Sequence, residues 1–354
     1  MVGQTLPQAA RLLDVGRRNY GGDAALEQGN DRGGGAKDVH DDEYGVRVSY
    51  QAGQESDINA HGFTLTVNSD AYIMRRQRRW ATTGMTFWEK LAEASRRNQS
   101  LLCIGLDPDP EKLRGTPVAA FLQAIIEATQ DLVCAYKPNL AFFEALGIGG
   151  MQTLLEALRG VPSDIPIIAD AKRGDIASTN RFYAQALFEV YDFDAATVNP
   201  YMGGDSVEPF LEYGDRGVFL LCRTSNPGAA DLQGLRLEDG RLLFEAVAEL
   251  ANLWNTAGNV GLVMGATWPE ELERVRAICP DLPMLLPGVG RQGGDLGRAL
   301  RAALDAEGGG VIVSASRQIL YASPADDFAK AARRAALGLR DDINRERDAL
   351  LARR

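Results

Sequence analysis

Histidine is almost missing from this chain: there are two in 354 residues, His40 and His61, both before residue 84. Everything after residue 84 therefore lacks an imidazole, which removes Ser-His-Asp and Cys-His catalysis and most zinc sites from the main body. Proton chemistry there must run on Lys, Asp, Glu, Tyr or Cys. Cysteine is scarce as well. Cys103, Cys134, Cys222 and Cys279 lie far apart with no CxxC pairing, three of them inside apolar strand-like runs, and read as small core residues. Positive charge is in deficit, with 38 Lys and Arg against 48 Asp and Glu, a net charge of −10 and a pI near 4.9. An acidic surface does not suit a phosphate backbone, so no nucleic-acid partner is expected, and any anionic substrate has to be held by a few local cations. No apolar run approaches the roughly 18 residues that a membrane span needs. The N-terminus lacks an apolar signal core, and its many Asp and Glu disfavour a transit peptide, so no membrane association and a cytoplasmic location are expected.

What the chain does have is globular composition, 45% hydrophobic and 24% charged, enough to bury a large core in one or two domains. Residues 1–84 are Gly-rich and mixed in charge, with only brief alternating stretches such as Val46 to Tyr50 and Phe63 to Val67. They read as a disordered or loosely attached extension, or as upstream sequence translated from a mis-assigned start; a small appended domain is the alternative. From Thr86 the pattern changes, because Thr86-Phe87-Trp88-Glu89 is a capping box before an amphipathic run that ends near Asn98. Eight short apolar runs follow: Leu101–Leu106, Leu132–Tyr136, Ile165–Ala171, Ala195–Asn199, Gly217–Cys222, Asn259–Met264, Leu282–Leu286 and Gly310–Ala315. Between them lie segments of helical period, including Val118–Gln130, Met151–Leu158, Asn180–Tyr191, Arg241–Thr256, Pro269–Ile278 and Asp295–Ala306. Near-continuous apolar strands alternating with helices point to a parallel sheet covered on its outside. Eight such units in residues 85–354 predict an α/β fold, a (β/α)8 TIM barrel, as one domain behind the N-terminal extension.

A barrel of this kind builds its active site where strands end. The residues just past the runs are Asp107, Lys137, Asp170-x-Lys172-x-x-Asp175, Asn199, Thr224-Ser225-Asn226, Gly288-x-Gly290-x-Gln292 and Ser316-Arg317, few of them apolar. Because alternate strand residues face the same way, Asp170 and Lys172 are expected to point together into the mouth. With Lys137 and Asp175 they place two cations and two carboxylates in one region, each charge flanked by opposites that offset its desolvation. A purely structural ion-pair network is the bland alternative. Pro287-Gly288-Val289-Gly290-Arg291-Gln292-Gly293 satisfies GxGxxG, but it follows the seventh run rather than the first. A dinucleotide site is therefore disfavoured against a phosphomonoester grip made by Gly288, Gly290 and Arg317 after strands seven and eight. Arg223-Thr224-Ser225-Asn226-Pro227-Gly228 opens a long polar stretch reaching Gly240, which suits a closing loop or, taken alone, a surface turn.

At this point the segments Leu102-Cys103-Ile104-Gly105-Leu106-Asp107-Pro108-Asp109, Ala135-Tyr136-Lys137-Pro138-Asn139, Asp170-Ala171-Lys172-Arg173-Gly174-Asp175-Ile176, Thr224-Ser225-Asn226-Pro227-Gly228 and Pro287-Gly288-Val289-Gly290 together resemble the orotidine 5′-monophosphate decarboxylase family, in its longer bacterial subgroup. The resemblance covers residues 85 to about 340, and nothing in the family's pattern matches residues 1–84. DxKxxD alone is shared with related sugar-phosphate decarboxylases and synthases; joined to the other segments it is far more specific. The resemblance implies a charged tetrad of Lys137, Asp170, Lys172 and Asp175, with Lys172 as proton donor. It implies that Asp175, Ile176 and Thr179 reach into the site of a partner subunit, so that a homodimer shares its active sites. It further implies a ribose contact from Asp107, a pyrimidine-edge contact from Ser225 and phosphate contacts from Gln292 and Arg317, with no metal and no organic cofactor. Many shorter members have Gly before that arginine, whereas this chain has Ser316. The rival readings are a Mg-dependent sugar-phosphate decarboxylase or synthase on the same barrel, and a non-catalytic phosphate-ligand sensor.

Overall fold

The computed structural model describes residues 84–113, 115–289 and 295–352, together with the backbone of three strands nearer the N-terminus. Its contacts divide the chain into two units, Met1–Tyr72 and Ile73–Arg354. In the first, β1 (Lys37–Asp41), β2 (Val46–Tyr50) and β3 (Phe63–Val67) form an antiparallel sheet in that order. The alternating stretches noted in the sequence are β2 and β3. The rest of residues 1–83, and with it the expectation of disorder there, lies outside the described residues.

The second unit is the barrel. Its strands are β4 (Leu102–Leu106), β5 (Ala135–Pro138), β6 (Ile168–Arg173), β7 (Ala195–Val198), β8 (Gly217–Arg223), β9 (Val260–Met264), β10 (Met284–Pro287) and β11 (Val311–Ala315). All pair in parallel in the order β5-β4-β11-β10-β9-β8-β7-β6, and parallel bridges Tyr136–Ile167 and Asn139–Asp170 join β5 to β6, closing the ring. Each of the eight apolar runs has become one strand.

Helices fill the connections: α1 (Phe87–Asn98), α2 (Val118–Thr129), α3 (Leu140–Glu144), α4 (Ile148–Leu158), α5 (Ala177–Gln185), α6 (Gly204–Leu211), α7 (Leu243–Trp254), α8 (Pro269–Ile278), α9 (Leu296–Ala303), α10 (Arg317–Leu320) and α11 (Phe328–Leu351). The expected helix at Asn180–Tyr191 is α5 continued by one π turn, Ala186–Val190. Helices α3, α6, α10 and α11 had no counterpart in the sequence reading. Among the described residues no helix is long and apolar enough to cross a membrane.

Strand alternation sorts the core into two bodies. Residues such as Leu102, Ile104, Val311 and Val313 face outward into the main core beneath the helices. Their neighbours Cys103, Ala135, Ile168, Ala195, Phe219, Leu285 and Ile312 point inward and fill the lower barrel. All four cysteines are free and buried, as small core residues should be. Helix α1 covers the lower end. Its capping box forms as expected, with Glu89 N–H donating to Thr86 Oγ1 at 3.3 Å and Thr86 N–H to Glu89 Oε2 at 2.7 Å. Phe87 and Trp88 then meet Phe219 edge-on at 5.8 and 5.5 Å, and a Cβ at Gly217 would lie 2.3 Å from the Phe87 ring. Lys90 of α1 pairs with buried Asp194 at 2.6 Å, whose other oxygen accepts Ile167 N–H at 2.6 Å.

One pleat above the apolar layer, the inward positions change character. Cys103 gives way to Gly105 and Asp107, Ala135 to Lys137, Ile168 to Asp170, Ala195 to Thr197 and Ile312 to Ser314. The period of two that packs the lower barrel thus delivers polar groups to its upper mouth.

Candidate active site

Lys137, Asp170 and Lys172 meet on the floor of the upper cavity, which holds about 510 Å³, within the usual size for a small-molecule site. Asp170 lies between the two lysines. Its Oδ2 accepts from Lys137 Nζ at 2.7 Å and its Oδ1 from Lys172 Nζ at 2.5 Å. The Lys137 and Asp170 side chains are only 7% and 11% exposed, whereas Lys172 is 48% exposed and faces the cavity. Burial pushes the Asp170 carboxyl upward, but the Lys137 and Lys172 ammoniums outweigh it and hold the group at about 2. Burial likewise pushes Lys137 down, and the Asp170 and Asp107 carboxylates reverse this and raise it to about 12. Both charges therefore persist at neutral pH because each is the other's counter-ion.

Strand alternation does not explain how Lys172 arrives there. The β6–β7 register shifts between Ala169 and Arg173, and Lys172 takes a left-handed backbone with φ of 47°. Such a conformation is costly for a residue with a Cβ and persists only where surroundings enforce it. Thr197 on β7 supplies that support: its hydroxyl accepts the Lys172 N–H at 3.0 Å and donates to Asp170 Oδ1 at 3.1 Å. The strain sits on the lysine that projects an ammonium into the cavity, and Thr197 locks it. The sequence reading missed Thr197, although its place two residues after Ala195 on an inward-facing row was a usable signal.

Asp175 does not join the other three within the chain. Its Oδ1 accepts the Ile176 N–H at 2.7 Å, its carbonyl accepts from Asn180 Nδ2 at 2.7 Å, and it is absent from the cavity wall. The expected gathering of two cations and two carboxylates is thus a gathering of two cations and one carboxylate in this chain. Ile176 and Thr179 share this outward-turned start of α5, and Ile176 is 54% exposed.

Asp107, Ser225, Gly288 and Arg317 all line the cavity with the lysines, from loops after β4, β8, β10 and β11. Gly290 and Gln292 lie outside the described residues. Gly288 has φ of 95°, open to glycine and strained for other residues, so this residue type is required where β10 turns away. Arg317 starts α10, is exposed, and makes no ion pair among the described residues. Asp107 Oδ1 and Ser316 Oγ are buried without a hydrogen-bond partner, which is unusual enough to mark unspent binding capacity at the wall. Gly105 explains how Ser316 is tolerated before the arginine, since a Cβ there would stand 2.8 Å from Ser316 Cβ.

The polar stretch after β8 is folded onto itself. Thr224 N–H donates to Gln233 Oε1 at 2.9 Å, Gln233 Nε2 donates back to Thr224 Oγ1 at 3.0 Å, and Leu237 N–H bonds Arg241 O at 2.8 Å. Gln233 also lines the cavity, a contact made through the loop's fold and invisible in spacing. The root of the loop is pinned by Arg223, whose buried guanidinium pairs with Glu271 at 2.5 Å and lies over the Trp268 ring at 4.8 Å. Chemically, the site offers fixed positive charge at the floor, an exposed arginine at the rim and hydrogen-bonding groups between them.

A family model described as "Orotidine 5'-phosphate decarboxylase / HUMPS family" matches residues 100–335. An orotidine 5′-phosphate decarboxylase of Roseiflexus sp. (strain RS-1) is 53% identical over 276 residues, 76% of this chain and 100% of the relative. One from Cupriavidus necator is 51% identical over 271 residues, 74% of this chain and 99% of that one. Among solved structures, the OMP decarboxylase of Leishmania donovani matches with a TM-score of 0.67 at 45% identity, over 75% of this chain and 100% of its own.

Proposed function

The chain belongs to the orotidine 5′-phosphate decarboxylase family and converts orotidine 5′-monophosphate (OMP) to UMP in pyrimidine nucleotide synthesis, and we propose that Lys172 carries the chemistry, held by Asp170 and Lys137. Loss of CO2 from C6 leaves an electron pair with no adjacent carbonyl to accept it, so stabilisation has to come from charge already in place. The Lys172 ammonium provides it and then transfers a proton from Nζ to C6, giving UMP and a neutral amine that solvent reprotonates. Asp170, kept ionised by two lysines, opposes the departing carboxylate and raises the bound substrate relative to the carbanion. Lys137 preserves the Asp170 charge and so keeps Lys172 aimed.

The single observation that carries this reading is the Lys137–Asp170–Lys172 chain on the cavity floor. Both Asp170 oxygens already accept from ammoniums, which makes it a poor ligand for a divalent cation and favours chemistry without metal. Arg317 and Gly288 at the rim, joined by Gly290 and Gln292 as the resemblance implies, take the phosphate, Asp107 the ribose and Ser225 the pyrimidine edge. Binding energy from the remote phosphate is spent in aligning the ring over Lys172. Asp175, Ile176 and Thr179, turned away from their own cavity, serve the site of a second copy across a two-fold axis, so the working form is a homodimer with shared sites. The machinery lies wholly in residues 85–354, with residues 1–84 an extension to it. Following the loss of OMP absorbance with and without chelator tests the cofactor-free reaction, which is expected to proceed equally in both.

A further inference from the structure

Tyr321 is the C-terminal cap of α10, the short helix that begins with Arg317, and its backbone N–H bonds the Arg317 carbonyl at 3.2 Å. Its side chain reaches away from that helix to the loop after β4. There the hydroxyl accepts the Asp109 N–H at 2.7 Å and donates to the Asp107 carbonyl at 3.1 Å. One residue therefore holds the backbone of both Arg317 and Asp107. The two loops are neighbours because β4 and β11 pair in register, Ser314 with Cys103 and Ala315 with Ile104.

Two side chains lie against the ring. Phe121 of α2 stacks against it with centroids 6.2 Å apart and planes 16° apart, and Phe328 stacks behind Phe121 at 4.8 Å. The Lys112 ammonium sits 5.1 Å from the Tyr321 centroid while paired with Asp109 Oδ2 at 2.7 Å. Burial raises the phenol above its ordinary value, so the hydroxyl keeps the proton that it donates. A side chain this tightly held transmits position rather than absorbing it.

Asp107 is the cavity residue with most to gain from such fixing. Its Oδ1 is buried on the cavity wall with no partner, poised for a ligand hydroxyl. We propose that Tyr321 is a positioning residue for the nucleotide: its hydroxyl sets the Asp107 carboxylate relative to Arg317, so that ribose and phosphate are gripped as one rigid unit. This rests on the assignment of Asp107 to the ribose and Arg317 to the phosphate. Tyr321 touches no reacting atom, and its effect should fall on binding rather than on the chemical step.

The test is Tyr321→Phe, which keeps the stacked ring and removes only the hydroxyl, set in a double-mutant cycle with Asp107→Ala. Steady-state kinetics on OMP and calorimetric UMP affinity are measured for both single variants and the double. Tyr321→Phe is expected to raise KM and weaken UMP about ten-fold, with kcat changed less than two-fold. The double variant should be no worse than Asp107→Ala, because the hydroxyl acts through that carboxylate. A fall in kcat at unchanged KM, or losses that simply multiply, would overturn the proposal by showing a merely structural role. If Asp107→Ala leaves KM unchanged, the ribose assignment itself fails; if Asp107→Ala raises KM and Tyr321→Phe does not, the coupling alone is wrong.

Discussion

Lys137 Nζ stands 2.7 Å from Asp170 Oδ2, and the two side chains are 7% and 11% exposed. Removing Lys137 would leave buried Asp170 with Lys172 as its remaining ammonium partner, so the cost should fall below the roughly 3–5 kcal/mol typical of a buried charge left with no partner. Lys137→Met is therefore expected to lower the unfolding free energy by less than that range, read from urea denaturation at neutral pH; an unchanged midpoint would show that the pair contributes nothing to stability. The pH dependence follows from the two shifts. Asp170 is depressed from 3.8 to about 2, so its contribution is complete above pH 4 and is lost as pH falls through 2. Lys137 is raised from 10.5 to about 12, so its contribution is complete below pH 10 and is lost as pH rises through 12. Asp170→Asn should flatten the acid limb.

Gly105 and Ser316 test the shape of the rim. Gly105→Ala places a methyl 2.8 Å from Ser316 Cβ and should push the Arg317 loop outward, raising KM for OMP several-fold. Ser316→Gly removes the nearest obstacle, leaving Asp107 Oδ2 at 3.1 Å, and is expected to restore KM most of the way in the double variant. Failure of that rescue in steady-state kinetics would mean that the strain is relieved elsewhere.

Arg317 makes no ion pair among the described residues and opens a helix at the cavity rim. If it grips phosphate, Arg317→Ala lowers kcat/KM for OMP by roughly 100-fold or more, as loss of a charge-assisted contact of about 3 kcal/mol implies. The slow turnover of orotidine, which has no phosphate, should change little. Equal losses on both substrates would make the residue structural.

Much of this architecture was legible in the residues. Buried parallel strands are continuous apolar runs, so eight such runs with helical segments between them already describe a barrel, and the polar residues at their ends mark its mouth. The capping box at Thr86 placed α1 for the same local reason. What stayed hidden depends on the chain meeting itself. The period of two suggested how Lys172 would point, but the residue is left-handed beside a bulge and is held by Thr197, 25 positions away. Gln233 and Tyr321 matter through pairs of hydrogen bonds to residues distant in sequence, Thr224 for the one and the Asp107 and Asp109 backbone for the other. Helix α11 carries Ala, Arg and Leu at helical spacing beyond the last strand, yet it follows the eighth unit and no barrel template demanded it. The position of Asp175 off its own cavity wall could not be read from spacing, which grouped it with Lys137, Asp170 and Lys172; only the family resemblance assigned it to the site of a second copy.

That point is open to direct test. If Asp175 serves a second copy, Lys172→Ala and Asp175→Ala homodimers are each nearly inactive, while a mixed dimer has one site with both lesions and one with none. Random exchange in a two-fold dimer makes half the dimers mixed, so about a quarter of all sites should recover. Co-refolding the two variants and following CO2 release, with exchange verified by mass, decides it. No recovery would place both residues in the same site.

The central claim is that the Lys172 ammonium both stabilises the C6 carbanion and protonates it. It is tested most directly by single-turnover CO2 release from OMP by Lys172→Ala, alongside calorimetric UMP binding to the same preparation. The account predicts decarboxylation lowered by at least about 10⁴-fold, the loss of more than 5 kcal/mol of transition-state stabilisation, with UMP affinity kept within ten-fold. CO2 release near the wild-type rate in a variant that binds UMP normally would contradict it.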